Sequence, residues 1–216
     1  MFHKGTLAFY MGIGNCRLFG MSGTADTQSG TRNRTRRAIL SAASSVLARD
    51  WSATLAEIAD AAEVGRTTLH RYFPDRETLI KAAVDDSVEV ITASTAAAAI
   101  EHGPPLEAMR RLVAAMVEVG DRLMFVFGDP RVLETYGAAK TDAPLEDAVV
   151  SLIRRGQDEG VFDPEVSPVW IRHVLWALVY TGLEESEGGR LPRHGVTATV
   201  IRTFENGITM RRSDEG

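Results

Sequence analysis

Between Glu63 and Phe73 the chain reads EVGRTTLHRYF, and Arg66, Thr67, Thr68, His70 and Arg71 crowd into six of those positions. Guanidinium, hydroxyl and imidazole groups at that density suit hydrogen bonding to polar edges. If the stretch is helical, Leu69 and Phe73 lie four apart on one side and the polar side chains on the other. A helix fits the major groove of DNA, where arginine pairs with guanine and threonine bonds base edges or touches the thymine methyl. Arg32, Arg34, Arg36 and Arg37 come earlier in the chain and can reach phosphates, which supply the salt-dependent part of affinity. The competing reading is a helical hairpin whose charged face is merely solvated.

The charge is unevenly divided. The whole chain of 216 residues carries a formal net charge of -5, yet residues 31–73 carry +3 and residues 74–216 carry -9. A basic segment on an acidic body fits one surface that meets an anion while the rest stays soluble, although chance clustering gives the same count.

The elements that must position these groups are helices. "TRRAILSAASSVLARD" places Ile39, Ala42, Ala43, Val46 and Leu47 on one stripe. Trp51 follows in a loop that would cover the end of that helix. Thr54 and Glu57 have capping-box spacing at the start of "LAEIADAA". Val64-Gly65 breaks that short helix, and Gly65 is an acceptable cap for the next. Pro74-Asp75 ends the third, and a long helix then runs from near Asp75 to about Ile100. Leu55–Phe73 is therefore expected to be helix, turn, helix, packed on a preceding helix.

The stretch "TLAEIADAAEVGRTTLHRYFPDRETLI", Thr54–Ile80, resembles the DNA-binding signature of tetracycline-repressor-type (TetR) transcription regulators. Thr54, Ile58, Ala59, Ala62, Val64, Phe73 and Leu79 match its pattern in register. Glu63 stands where that pattern has a turn glycine, Gly65 where serine caps, His70 where tyrosine is usual and Arg76 where lysine is usual. The resemblance implies a homodimer on a double-stranded, palindromic DNA operator, with Arg66, Thr67, Thr68 and Arg71 at base edges. Thr54, His70, Tyr72 and Arg76 would then meet the DNA backbone, joined by Arg34 and Arg37.

Expected, then, is an all-α protein of about nine helices. Residues 1–30 are read as a flexible N-terminal extension, 31–80 as a three-helix head with the helix-turn-helix, and 81–216 as a helical regulatory and dimerisation body. "PLEAMRRLVAAMVEVGDRLMFVF" reads as one helix whose apolar stripe leaves Glu118 and Arg122 solvated. Val169–Leu183 is apolar nearly all round, so it must be covered on every side. It either packs on a second subunit or forms a central core helix. The family pairs through its last two helices, which points to Trp170, His173, Trp176, Tyr180, Val200 and Phe204 as interface. The resemblance also implies a cavity for a small hydrophobic effector, with Met116, Phe125, Tyr136 and Trp176 as lining. Those aromatics serve equally well as plain core.

Other classes find little support. No nucleophile–base constellation, phosphate-cradling glycine loop or metal-spaced His/Cys cluster is present, so no catalytic residue, metal or cofactor is expected. The remaining alternatives are a helical enzyme and a helical adaptor that does not bind DNA. One cysteine, Cys16, excludes an internal disulfide framework. The longest apolar run is too short to cross a membrane and carries Arg172 and His173. A cytoplasmic regulator of transcription is the reading that uses the most residues.

Overall fold

The computed structural model describes residues 27–136 and 144–208. The described residues form ten α-helices: α1 Thr27–Arg49, α2 Leu55–Ala61, α3 Arg66–Tyr72, α4 Arg76–Ala97, α5 Pro105–Glu118, α6 Gly120–Phe127, α7 Pro130–Tyr136, α8 Pro144–Asp158, α9 Pro168–Glu187 and α10 Val196–Ile208. The all-α expectation holds, with one helix more than the sequence suggested. The added helix arises because the stretch read as a single helix breaks at Val119 into α5 and α6. Gly120 begins α6, and a Cβ there would run into Leu183. The expected N-terminal extension lies mostly outside the described residues, and its last four, Thr27–Gly30, already belong to α1.

The helices gather into two compact units. Among the described residues, the first takes 27–91 together with 121–136, and the second takes 92–120 and 144–208. In the first unit the predicted stripe of α1 points inward as Ile39, Leu40, Ala43 and Leu47. It meets Ile58 and Ala59 of α2, Leu69 and Phe73 at α3, and Leu79, Ile80, Ala83 and Val84 of α4. Phe125 and Val126 of α6 and Val132 of α7 belong to the same core. The core of this unit thus extends beyond the three helices of the head, because α6 and α7 also line it.

Polar contacts reinforce this. Arg122 of α6, expected in solvent, is 15% exposed and pairs with Asp86 of α4 at 2.6 Å. The stripe argument failed for Arg122 because α6 is a separate helix with its own facing.

The turn between α2 and α3 has a specific conformation. Val64 N–H donates to Ala59 C=O at 3.0 Å and Glu63 N–H to Asp60 C=O at 3.1 Å. That pair of bonds is the Schellman closure of a helix, which normally places glycine in the left-handed region. Here Glu63 sits there with φ 54°. Gly65 keeps an ordinary extended backbone at φ -68°, and open space surrounds the place of its missing Cβ. The glycine thus stands two residues past the position where its freedom would help. A left-handed L-residue costs about 1–2 kcal/mol, so Glu63→Gly should stabilise the protein by about 1 kcal/mol in urea unfolding. Glu63→Ala, which relieves nothing, should stay within ~0.5 kcal/mol of the parent. Equal midpoints for the parent and Glu63→Gly would show that the turn is not strained.

The second unit packs α5, α8, α9 and α10 on one another. Ile171, Leu175, Val179 and Leu183 form the buried face of α9. Gly182 lets α10 approach closely, since a Cβ there would meet Val196 and Val200 at 3.0 Å. Arg110 of α5 clamps Glu205 of α10 through Nε at 2.6 Å and Nη2 at 3.1 Å. The turn after α4 is held by two arginines. Arg111 donates to the carbonyls of Ala98, Ala99 and His102, and Arg155 to those of Ile100 and Glu101.

Candidate nucleic-acid interface

The outer face of α3 carries the groups the sequence singled out. Arg66, Thr67, His70 and Arg71 are exposed and Thr68 is half-buried. Leu69 is 1% exposed and Phe73 is 3% exposed, so they anchor the helix and leave the polar face outward. Among the described residues no hydrogen bond uses the side chains of Arg66, Thr67, Thr68 or His70. Their donors remain available to an external partner.

Several neighbours are already committed. The Thr54 hydroxyl donates to Glu57 Oε2 at 2.7 Å and accepts from Glu57 N–H at 3.3 Å. Thr54 N–H also donates to Glu57 Oε2, at 2.7 Å, which completes the expected capping box. A phosphate oxygen only accepts, so Thr54 cannot give it a proton while Glu57 holds that proton. In this structure Thr54 caps α2.

Arg76, expected at the DNA backbone, sends Nη1 to the Ala53 carbonyl and Nη2 to the Trp51 carbonyl. The fork ties the start of α4 to the turn between α1 and α2. Lysine could not span both carbonyls as arginine does. The rest of the guanidinium keeps N–H groups to offer. Trp51 itself stacks on Phe125 at 6.1 Å between ring centroids and leans on Tyr136 at 6.4 Å.

Ahead of the core, the first turns of α1 stand in solvent. Arg32, Arg34, Arg36 and Arg37 are all exposed, and they divide by face. Arg32 lies over the Tyr72 ring at 6.0 Å and Arg36 over the Phe73 ring at 5.8 Å. Arg34 donates to Thr31 Oγ1 at 3.2 Å. The Tyr72 hydroxyl, expected on phosphate, donates to the Arg32 carbonyl at 3.3 Å.

The Glu57 carboxyl is held below its ordinary value, first by the Thr54 N–H and then by the Thr54 hydroxyl. A lowered folded-state pKa gives stability that is complete above the ordinary carboxylate range and disappears as pH falls through the lowered value. In urea midpoints taken across pH, wild type should therefore exceed Glu57→Gln at neutrality, with the gap closing in acid. A gap independent of pH would rule out this cap as part of the acid limb.

The other expected sites are more scattered. Phe125 and Tyr136 fall in the first unit, around Trp51, whereas Met116 and Trp176 fall in the second. Met116 is fully buried in α5 and Trp176 half-buried on α9. Of the expected interface, Trp170 is 61% exposed, while His173, Trp176 and Tyr180 are half-buried. Val200 and Phe204 are a correction. At 2% and 1% exposed they point into the chain's own core, so they cannot meet a partner. The exposed face of α10 instead carries Ala198 and Arg202. Sequence reasoning missed the Arg122–Asp86 pair entirely, and no local signal could have joined residues 36 apart.

Comparison with known proteins agrees with this architecture. A family profile described as "Bacterial regulatory proteins, tetR family" matches residues 39–83. The HTH-type transcriptional repressor LfrR of Mycolicibacterium smegmatis is 37% identical over 181 residues, which cover 84% of this chain and 94% of that protein. The HTH-type transcriptional regulator NfxB of Pseudomonas aeruginosa is 28% identical over 159 residues, covering 73% of this chain and 85% of that one. The crystal structure of the TetR-like regulator LfrR from Mycobacterium smegmatis in complex with proflavine superposes with a TM-score of 0.66 at 35% identity, over 84% of this chain and 100% of that one.

Proposed function

The chain belongs to the tetR family of bacterial regulatory proteins, and from that premise we propose a homodimeric repressor that grips a palindromic operator and releases it when a small aromatic or hydrophobic molecule binds. It is a DNA-binding transcription regulator, as its relatives are, and not an enzyme. The observation that carries the proposal is the outer face of α3, where Arg66, Thr67, Thr68 and His70 keep every side-chain donor unspent.

In this reading residues 31–80 contact DNA and residues 81–216 regulate and dimerise. Two α3 helices from one pair would enter successive major grooves about 34–36 Å apart on the same face of the duplex. The exposed face of α9, with Trp170, Ala177 and Thr181, is the surface on which the second copy would sit. The repressor named among the relatives supports the sign of regulation, and its complex with proflavine supports an aromatic effector. Among the described residues no helix is long and apolar enough to cross a membrane, and the proposed DNA partner implies work in the cytoplasm.

The test is a gel shift with the DNA upstream of the protein's own gene, repeated with added proflavine as a probe. A retarded band that footprinting maps to an inverted repeat is expected. If the chain binds that DNA no better than random sequence, the proposed operator reading fails. The contacts can then be sorted. Arg66→Ala or Arg71→Ala should cost ~1–3 kcal/mol and relax preference at one base pair per half-site. Arg34→Ala or Arg37→Ala should weaken all sequences alike and reduce the salt slope by about one. The opposite pattern in binding titrations would reverse the assignment of base and phosphate contacts.

A further inference from the structure

We propose that Tyr72 is a positioning residue, which locks the basic first turns of α1 to the end of α3 so that both address DNA as one rigid surface. This rests on the operator-binding reading above.

The geometry is specific. The Tyr72 hydroxyl carries one proton, and that proton goes to the Arg32 carbonyl at 3.3 Å. A phosphate oxygen can only accept, so in this arrangement the hydroxyl is not a phosphate donor. The ring, meanwhile, attracts cations on its electron-rich face. The guanidinium of Arg32 lies 6.0 Å from its centroid and that of Arg71 lies 5.7 Å away. Tyr72 thus gathers a candidate phosphate contact from α1 and a candidate base contact from α3 around a single ring. Next to it, Arg36 rests over Phe73 at 5.8 Å, and Phe73 is fixed in the core.

The need for such a tie follows from exposure. From Gly30 to Ala38 every residue of α1 is exposed except half-buried Thr35, and full burial follows at Ile39. Those turns have no apolar face to hold them against the head. A helical end of this kind frays unless something anchors it, because each ordered residue loses conformational entropy. Arginines on a fraying end would lose much of that entropy again on binding phosphate. Held by Tyr72, they meet the duplex already in place.

The experiment is a double-mutant cycle on operator affinity, measured across a range of salt concentrations. It uses wild type, Arg32→Ala, Tyr72→Ala, Tyr72→Phe and the doubles of each tyrosine variant with Arg32→Ala. Arg32→Ala should lessen the salt slope by about one. Tyr72→Ala removes no charge, yet it should also lessen the slope, and adding Arg32→Ala should weaken binding further by much less than its effect alone. Tyr72→Phe keeps the ring and should fall between, with the same direction of coupling. The phenylalanine cycle carries the test if Tyr72→Ala melts early by circular dichroism. Two results overturn the proposal. One is independent, multiplicative losses with an unchanged slope in both tyrosine variants. The other is Tyr72→Phe as weak as Tyr72→Ala at an unchanged slope, which would make the hydroxyl a direct phosphate donor. Failure of wild type to bind any operator would instead sink the DNA-binding reading.

Discussion

Arg122→Ala should lower the unfolding free energy by about 2 kcal/mol, between the ~0–1 kcal/mol of a surface ion pair and the ~3–5 kcal/mol lost when one member of a fully buried pair is removed, because this pair is part-buried. The two side chains are 15% and 16% exposed, and Nη1 of Arg122 lies 2.6 Å from Oδ2 of Asp86. The same nitrogen is 3.3 Å from Ser87 Oγ. Ser87 is fully buried and shares a 2.9 Å hydrogen bond with the equally buried Ser44, which donates to the Leu40 carbonyl at 3.0 Å. The preceding residue of α6, Asp121, accepts from Ser45 at 2.7 Å and faces Arg49 at 3.7 Å. Two adjacent residues of α6 therefore grasp α1 and α4 at once.

Truncating Arg122 leaves the part-buried Asp86 carboxylate without its cation, and partial desolvation without a partner is unfavourable. Replacing both partners with apolar side chains of similar size, Asp86→Leu with Arg122→Met, should recover most of the loss. Urea unfolding of the two singles and the double measures this directly. An Arg122→Ala protein within ~0.5 kcal/mol of wild type would show that the pair is incidental.

Trp170→Asp should leave a folded protein that sediments as a monomer and binds its operator on the order of 10²–10⁴ times more weakly, the advantage that linking two binding events confers. The indole is 61% exposed, so most of its surface is not used in packing its own chain, and Val169 beside it is 42% exposed. On α9, Trp170, Val174, Ala177 and Thr181 recur at helical spacing, and Trp170, Ala177 and Thr181 are exposed. A carboxylate placed there would be buried unpaired when a second copy arrived. Equilibrium sedimentation and a gel shift on the same samples separate the outcomes. A dimeric Trp170→Asp protein with full operator affinity would remove this face of α9 from the interface.

Much of the head was legible because its determinants are local. The stripe of α1, the capping box of Thr54 and Glu57, the break at Val64-Gly65 and the stop after Phe73 all lie within four residues of what they control. The helix period also assigned Leu69 and Phe73 to the core, and with them the outward face of α3. What the period cannot say is which surface a face will meet. Val200 and Phe204 shared a correctly read stripe, but that stripe covers the chain's own interior and not a second copy. Phe125 was placed with the body, yet it closes the core of the head beside Trp51, 74 residues earlier in the chain.

The polar groups show the same division. That Thr54, Tyr72 and Arg76 carry donors follows from their side chains alone. Whether those donors are spent depended on Glu57 next door, which the sequence displays, and on the carbonyls of Arg32, Ala53 and Trp51, which it does not. A donor's type is covalent chemistry and is written in the residue. Its partner is chosen by tertiary packing, where any buried acceptor brought within reach must be satisfied and no spacing rule reveals it beforehand.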